Sequence, residues 1–139
     1  MSLDDSTRPR LQSLADGFMQ AINQQDFDRS SPAWQFLAPQ FQGGPFPPVI
    51  KTKIGVEEWL EYLSDVRSSN PEWEIHILDS DAIPGPSKNF ASLYINVEVH
   101  GLPVGVTWQS VGVYDFQCFD GEWLAISYRG FSGGQVGTF

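Results

Sequence analysis

Cysteine is almost absent from this chain: of 139 residues one, Cys118, is a cysteine, which excludes an internal disulfide and any cysteine-rich metal site. Cations are scarce as well. Eight lysines and arginines stand against seventeen carboxylates, a formal charge of −9, so nucleic acid, which is held by clustered Lys and Arg, is not an expected partner. No stretch approaches the roughly 18 apolar residues that a membrane span needs. The opening Met-Ser-Leu-Asp-Asp-Ser is acidic where a secretory signal is basic and then apolar, so a soluble, intracellular, cytoplasmic protein is expected. What the chain does have is apolar mass. With 41% hydrophobic and 14% aromatic residues it can build one core, and a single domain over residues 1–139 is expected. Cys118, inside an apolar strand pattern, reads as a small buried hydrophobe.

Leu11, Leu14, Ala15, Phe18, Met19, Ala21 and Ile22 recur at three- and four-residue spacing, which predicts a helix over 7–25 with one apolar stripe. Ser6 or Thr7 can cap it and Pro9 suits its first turn. Pro32-Ala-Trp-Gln-Phe-Leu37 predicts a short second helix stopped by Pro39. Residues 42–48, rich in Gly and Pro, read as a loop, followed by a short edge strand at 49–51. A third helix is expected over 55–67, with Trp59, Leu60, Tyr62, Leu63 and Val66 inward and Glu57, Glu58, Glu61 and Asp65 in water. After Pro71 the period falls to two through 73–78, 89–100, 104–119 and 122–128. Turn signals at Pro84-Gly-Pro86, Gly101-Leu-Pro103 and Asp120-Gly121 separate these strands. Helices first and then a meander of strands is an α+β arrangement, with helices on one face of a curved antiparallel sheet. The Gly-rich tail 130–139 is expected to be irregular.

Two stretches carry a family resemblance. Phe18-Met-Gln-Ala-Ile-Asn-Gln-Gln-Asp-Phe-Asp28 and Tyr114-Asp-Phe-Gln-Cys-Phe-Asp-Gly121, the latter followed by Glu-Trp-Leu-Ala-Ile126, resemble the first-helix ending and closing hairpin of the nuclear transport factor 2-like fold. Within that fold the chain resembles the SnoaL-like and ketosteroid-isomerase-like group, over about residues 7–131. The resemblance implies a cone in which three N-terminal helices and the concave sheet enclose an apolar pocket. It places the pocket carboxylic acid of ketosteroid isomerase on Asp115. The isomerase's first-helix phenol falls on Phe18, which has no hydroxyl, and its base aspartate falls within 43–48, where no carboxylate stands. That isomerase mechanism is therefore not expected, although Tyr62 falls on a pocket-lining aromatic and could supply a phenol.

Asp115 is the candidate with the most chemistry. If alternation is unbroken it shares a strand face with Val111, Val113, Gln117 and Phe119, and the resemblance turns that face toward the pocket. Desolvation there would raise its pKa and suit it to proton transfer near neutrality. A structural Asp bonded to a neighbouring strand is the competing reading. On 90–100, Ala91, Leu93, Ile95, Val97 and Val99 form an apolar face expected to line the pocket. Tyr94, Asn96, Glu98, His100 and Trp108 are assigned to the outer face, where the resemblance implies a homodimer. His76 opposes Ile75 and Ile77 in parity and is placed outside too. His76, His100 and Glu98 match no ligand spacing, so no metal is expected, and no organic cofactor. Asp26 and Asp28 read as a helix-ending turn.

These readings converge on a cofactor-independent enzyme performing acid/base isomerisation, dehydration or cyclisation on a small apolar polyketide- or terpenoid-like substrate of a secondary-metabolic pathway. Asp115 and Tyr62 are its catalytic candidates; Phe18, Trp59, Leu93, Ile95, Val97, Val111, Val113 and Gln117 are its substrate-binding candidates. The alternative is a non-catalytic ligand-binding or dimerisation module in which Asp115 is structural.

Overall fold

A computed structural model describes residues 3–44 and 52–132. Helix α1, Thr7–Asn23, buries the expected stripe from Leu11 to Ile22. It ends in a Schellman motif: Asp26 N–H donates to the Ala21 carbonyl at 2.9 Å and Gln25 N–H to that of Ile22 at 3.0 Å. Gln25 takes the left-handed conformation, φ 60°, that this ending requires. Asp26 and Asp28 then cap the following turn, accepting bonds from Ser31 and Ser30. The expected second helix is a single 3-10 turn, Ala33–Phe36. It stops because Leu37 is already extended, and the Arg29 guanidinium pins the carbonyls of Trp34 and Leu37 from outside. Helix α2, Val56–Ser69, buries Val56, Trp59, Leu60 and Leu63. No helix among the described residues is long and apolar enough to cross a membrane.

The sheet has five strands in the order β1-β5-β4-β3-β2: β1 Leu37–Gly43, β2 Glu74–Pro84, β3 Phe90–His100, β4 Thr107–Phe119 and β5 Glu122–Ser132. The α+β class is as expected, with two differences. Strand β1 replaces the predicted helix stop and the start of the predicted loop, and it pairs parallel to β5. Its Pro39 is tolerated because β1 is an edge strand, with β5 on one side. Strand β2 runs six residues beyond the predicted 78, to Pro84. A bulge between Ile77 and Asp79 shifts the register, which leaves Leu78 49% exposed and breaks the alternation that the sequence pattern needs. The Asp120-Gly121 turn has φ of 51° and 87°, the type I′ geometry such a dipeptide favours. The anticipated edge strand at 49–51 lies outside the described residues, as does the tail beyond 132.

Asn23, at the end of α1, clamps the free edge of β2. Its amide donates to the Ile75 carbonyl and accepts the Ile75 N–H, both at 2.9 Å, so one side chain stands in for a sixth strand. Arg8 to Asp81 at 2.6 Å and Gln12 to Ser80 at 3.0 Å continue the attachment along the strand. Asn23→Ala leaves two part-buried backbone groups without these partners and is expected to cost about 1–3 kcal/mol. Urea denaturation checks this, and an unchanged midpoint would show that water replaces the amide.

Candidate functional site

The inner face of the sheet is built by alternation. Ala91, Leu93, Ile95, Val97 and Val99 on β3 are all buried against the helices, as the sequence pattern predicts. On β4 the inward residues are Tyr114 and Phe116, both in the core. Gly112 lies on the same face, where a Cβ would come within 2.2 Å of the Tyr128 hydroxyl. The even positions therefore face the core, and Val111, Val113, Asp115 and Gln117 face the other way. The expected pocket orientation of these four residues is corrected on this point. Both faces of β4 are apolar enough to be buried, and the larger side chains, Tyr114 and Phe116, take the core.

Inside, aromatic rings fill the space beneath the helices. Phe18 stacks on Trp34 at 5.7 Å and 3°, and lies 5.2 Å from Tyr114. Tyr114 lies 4.5 Å from Tyr128, whose ring is 5.7 Å from Trp59, and Trp59 is 5.8 Å from Tyr62. Gly43 makes room for Trp59, because a Cβ there would meet the indole at 2.3 Å. The candidates Phe18, Trp59, Tyr62, Leu93, Ile95 and Val97 are thus gathered on one side of the sheet. Burial pushes the Tyr62 phenol up to about 12. Tyr114 is raised by burial and then by the neighbouring Tyr128, and Tyr128 by burial and then by Tyr62. Sequence reading takes Tyr128 as a core or interface aromatic, as found, and misses Tyr114 as an interior phenol; the cue was Gly112, a gap in an otherwise bulky strand.

Outside, Asp115 is the centre of a hydrogen-bonded cluster that spans three strands. Ser92 on β3 and Ser127 on β5, its Cα partners, each donate a hydroxyl at 2.6 Å. Arg129 adds a contact at 3.3 Å. A bulge in β5 after Ala125 turns Ser127 onto this face. Val113 is 1% exposed despite facing outward, between its partners Tyr94 and Arg129. Tyr94 itself is 45% exposed. Two further placements differ from expectation. Trp108 is partly buried against the core, its indole N–H donating to the Leu102 carbonyl at 2.7 Å, and Cys118 is half-buried. His76 and His100 sit on the outer face, with ring centroids 5.7 Å apart.

No known family model matches the sequence, and no curated protein matches it. Solved structures do. A protein of unknown function with a cystatin-like fold from Nostoc punctiforme is 12% identical, with a TM-score of 0.76 and all of both chains covered. An NTF2-like protein of unknown function from Pseudomonas putida is 10% identical, with a TM-score of 0.73, covering 94% of this chain and 89% of that one. The association domain of C. elegans CaMKII is 12% identical, with a TM-score of 0.67, covering 91% and 96%. The fold is therefore the nuclear transport factor 2-like fold, and at such identities the likeness extends to the fold alone.

Proposed function

We propose that this chain is a non-catalytic dimerisation module rather than an acid/base enzyme: its interior is filled by its own side chains, and it pairs with a second copy through the outer face of the sheet. The observation that carries this reading is the division of polar groups between the two faces. Inside, Tyr62, Tyr114 and Tyr128 have their phenols raised above the ordinary range, so they stay protonated at neutral pH and cannot abstract a proton. The other buried polar side chains among the described residues are Thr7 and Ser110, neither of which is a base. Outside, Asp115 already accepts two serine hydroxyls and faces Arg129, the environment of a structural carboxylate. Isomerisation, dehydration or cyclisation of a polyketide- or terpenoid-like substrate needs a proton acceptor beside the donor, and the described interior supplies donors.

In this reading Phe18, Trp59, Leu93, Ile95 and Val97, none of them more than 3% exposed, fill the interior. Val111, Asp115 and Gln117 join Tyr94 and Asn96 on the association face, with Val113 buried beneath it. One solved structure of this fold is named as an association domain, which supports pairing through the fold. The test is sedimentation velocity of the wild type and of Tyr94→Glu, which places a charge on that face at a residue 45% exposed. A dimer is expected for the wild type, and the variant is expected to associate about tenfold or more weakly. A monomeric wild type, or turnover of candidate intermediates that Asp115→Asn abolishes, would overturn this reading.

A further inference from the structure

We infer that His76 and His100 form a binding site for a borderline divalent transition-metal ion such as Zn²⁺ or Ni²⁺, independent of the interior. The chain contains two histidines, well separated in sequence, and the fold brings them together on adjacent strands with ring centroids 5.7 Å apart. Two imidazoles sharing one zinc at about 2.0–2.1 Å in tetrahedral geometry hold their centroids roughly 5–6 Å apart. The observed spacing fits that arrangement.

The surroundings suit a cation. His76 is the Cα partner of Glu98, and His100 that of Glu74, so imidazoles and carboxylates alternate across the two strands. Glu98 Oε1 lies 2.7 Å from His100 Nε2, so a carboxylate stands beside the nitrogen that would hold the ion. Thr107 Oγ1 lies 3.1 Å from His100 Nδ1. With an ion on Nε2, Nδ1–H donates to that hydroxyl, the outer contact that fixes the orientation of metal-bound histidines. Both imidazoles and Thr107 line an open groove of about 710 Å³, together with Glu72, Glu74 and Arg67. The guanidinium is tied by a 2.6 Å bond to the Trp73 carbonyl. Imidazole nitrogen with carboxylate oxygen selects zinc, nickel or copper over magnesium. Among the described residues no three His, Cys, Asp or Glu side chains already converge on one point. The two imidazoles therefore make the grip, and Glu98 turned inward, or water, fills the remaining positions.

The experiment is isothermal titration of the EDTA-treated protein with ZnCl₂, NiCl₂ and MgCl₂. Saturable binding of about one Zn²⁺ or Ni²⁺ per chain is expected, without a matching Mg²⁺ isotherm. His76→Gln and His100→Gln, both at accessible positions, are each expected to weaken it about tenfold or more, the loss of one of two nitrogen ligands. Absence of saturation overturns the proposal. So does a zinc isotherm that survives intact in the double variant, or a magnesium isotherm equal to it, because either would assign the binding to surface carboxylates.

Discussion

Trp34→Ala is expected to lower the unfolding free energy by about 3–5 kcal/mol, the range for deleting a fully buried large aromatic. Trp34 is 1% exposed and stacks flat on Phe18. Its indole N–H also donates to the Asp26 carbonyl at 2.7 Å. One side chain thus ties the turn after α1 to the rings below it. The variant Trp34→Phe separates the two contributions, since it keeps an aromatic surface for Phe18 and loses the hydrogen bond, for an expected cost nearer 1 kcal/mol. Guanidinium denaturation monitored by circular dichroism measures both. Equal losses in the two variants would mean that the bond to Asp26, and not the packing, holds this corner.

Gly101→Ala is expected to cost about 2–5 kcal/mol, from two effects that act together. At φ 76° the residue sits in the left-handed region, where a Cβ costs roughly 1–2 kcal/mol. That Cβ would also lie 2.2 Å from the Glu72 carbonyl oxygen and 2.9 Å from the Trp73 nitrogen. Those atoms are backbone, so no side-chain rotation relieves the contact, and displacing packed structure adds about 1–3 kcal/mol. Gly55→Ala is the control, because nothing lies within 4 Å of its added Cβ. Thermal melts of the pair decide the matter: similar midpoints would show that the turn between β3 and β4 can move as a body.

The two long helices could be read from the sequence because the spacing of Leu11 through Ile22 and of Trp59 through Val66 has one structural meaning. The closing hairpin could be read because Asp120-Gly121 favours left-handed backbone at both positions. Strand β1 could not, since Leu37–Gly43 contains a proline and finds its partner at the far end of the chain. The second half of β2 was hidden by the bulge at Leu78, beyond which Asp79 and Asp81 carry no apolar alternation. For the site, β3 was unambiguous because one of its faces is polar. Strand β4 was not: Val111 and Val113 compete with Tyr114 and Phe116, and hydrophobicity alone does not say which pair turns inward. Side-chain volume settles it, together with Gly112, which leaves room for the Tyr128 hydroxyl. The meeting of His76 with His100 follows from strand register, which no local pattern encodes.

The parallel pairing of β1 with β5 has a consequence for the order of events during folding. Strands β2 to β5 are joined in sequence by turns, so each can zip onto its predecessor at small entropic cost. Strand β1 cannot join them until β5 exists, and β5 is, among the described residues, the last strand to be synthesised. While the chain is being made, Leu37 and Phe41, each 1% exposed in the finished fold, must wait without their neighbours. The last step of assembly is therefore expected to be the docking of the earliest strand onto the latest, and the folding rate should respond to that long closure more than to any single hairpin.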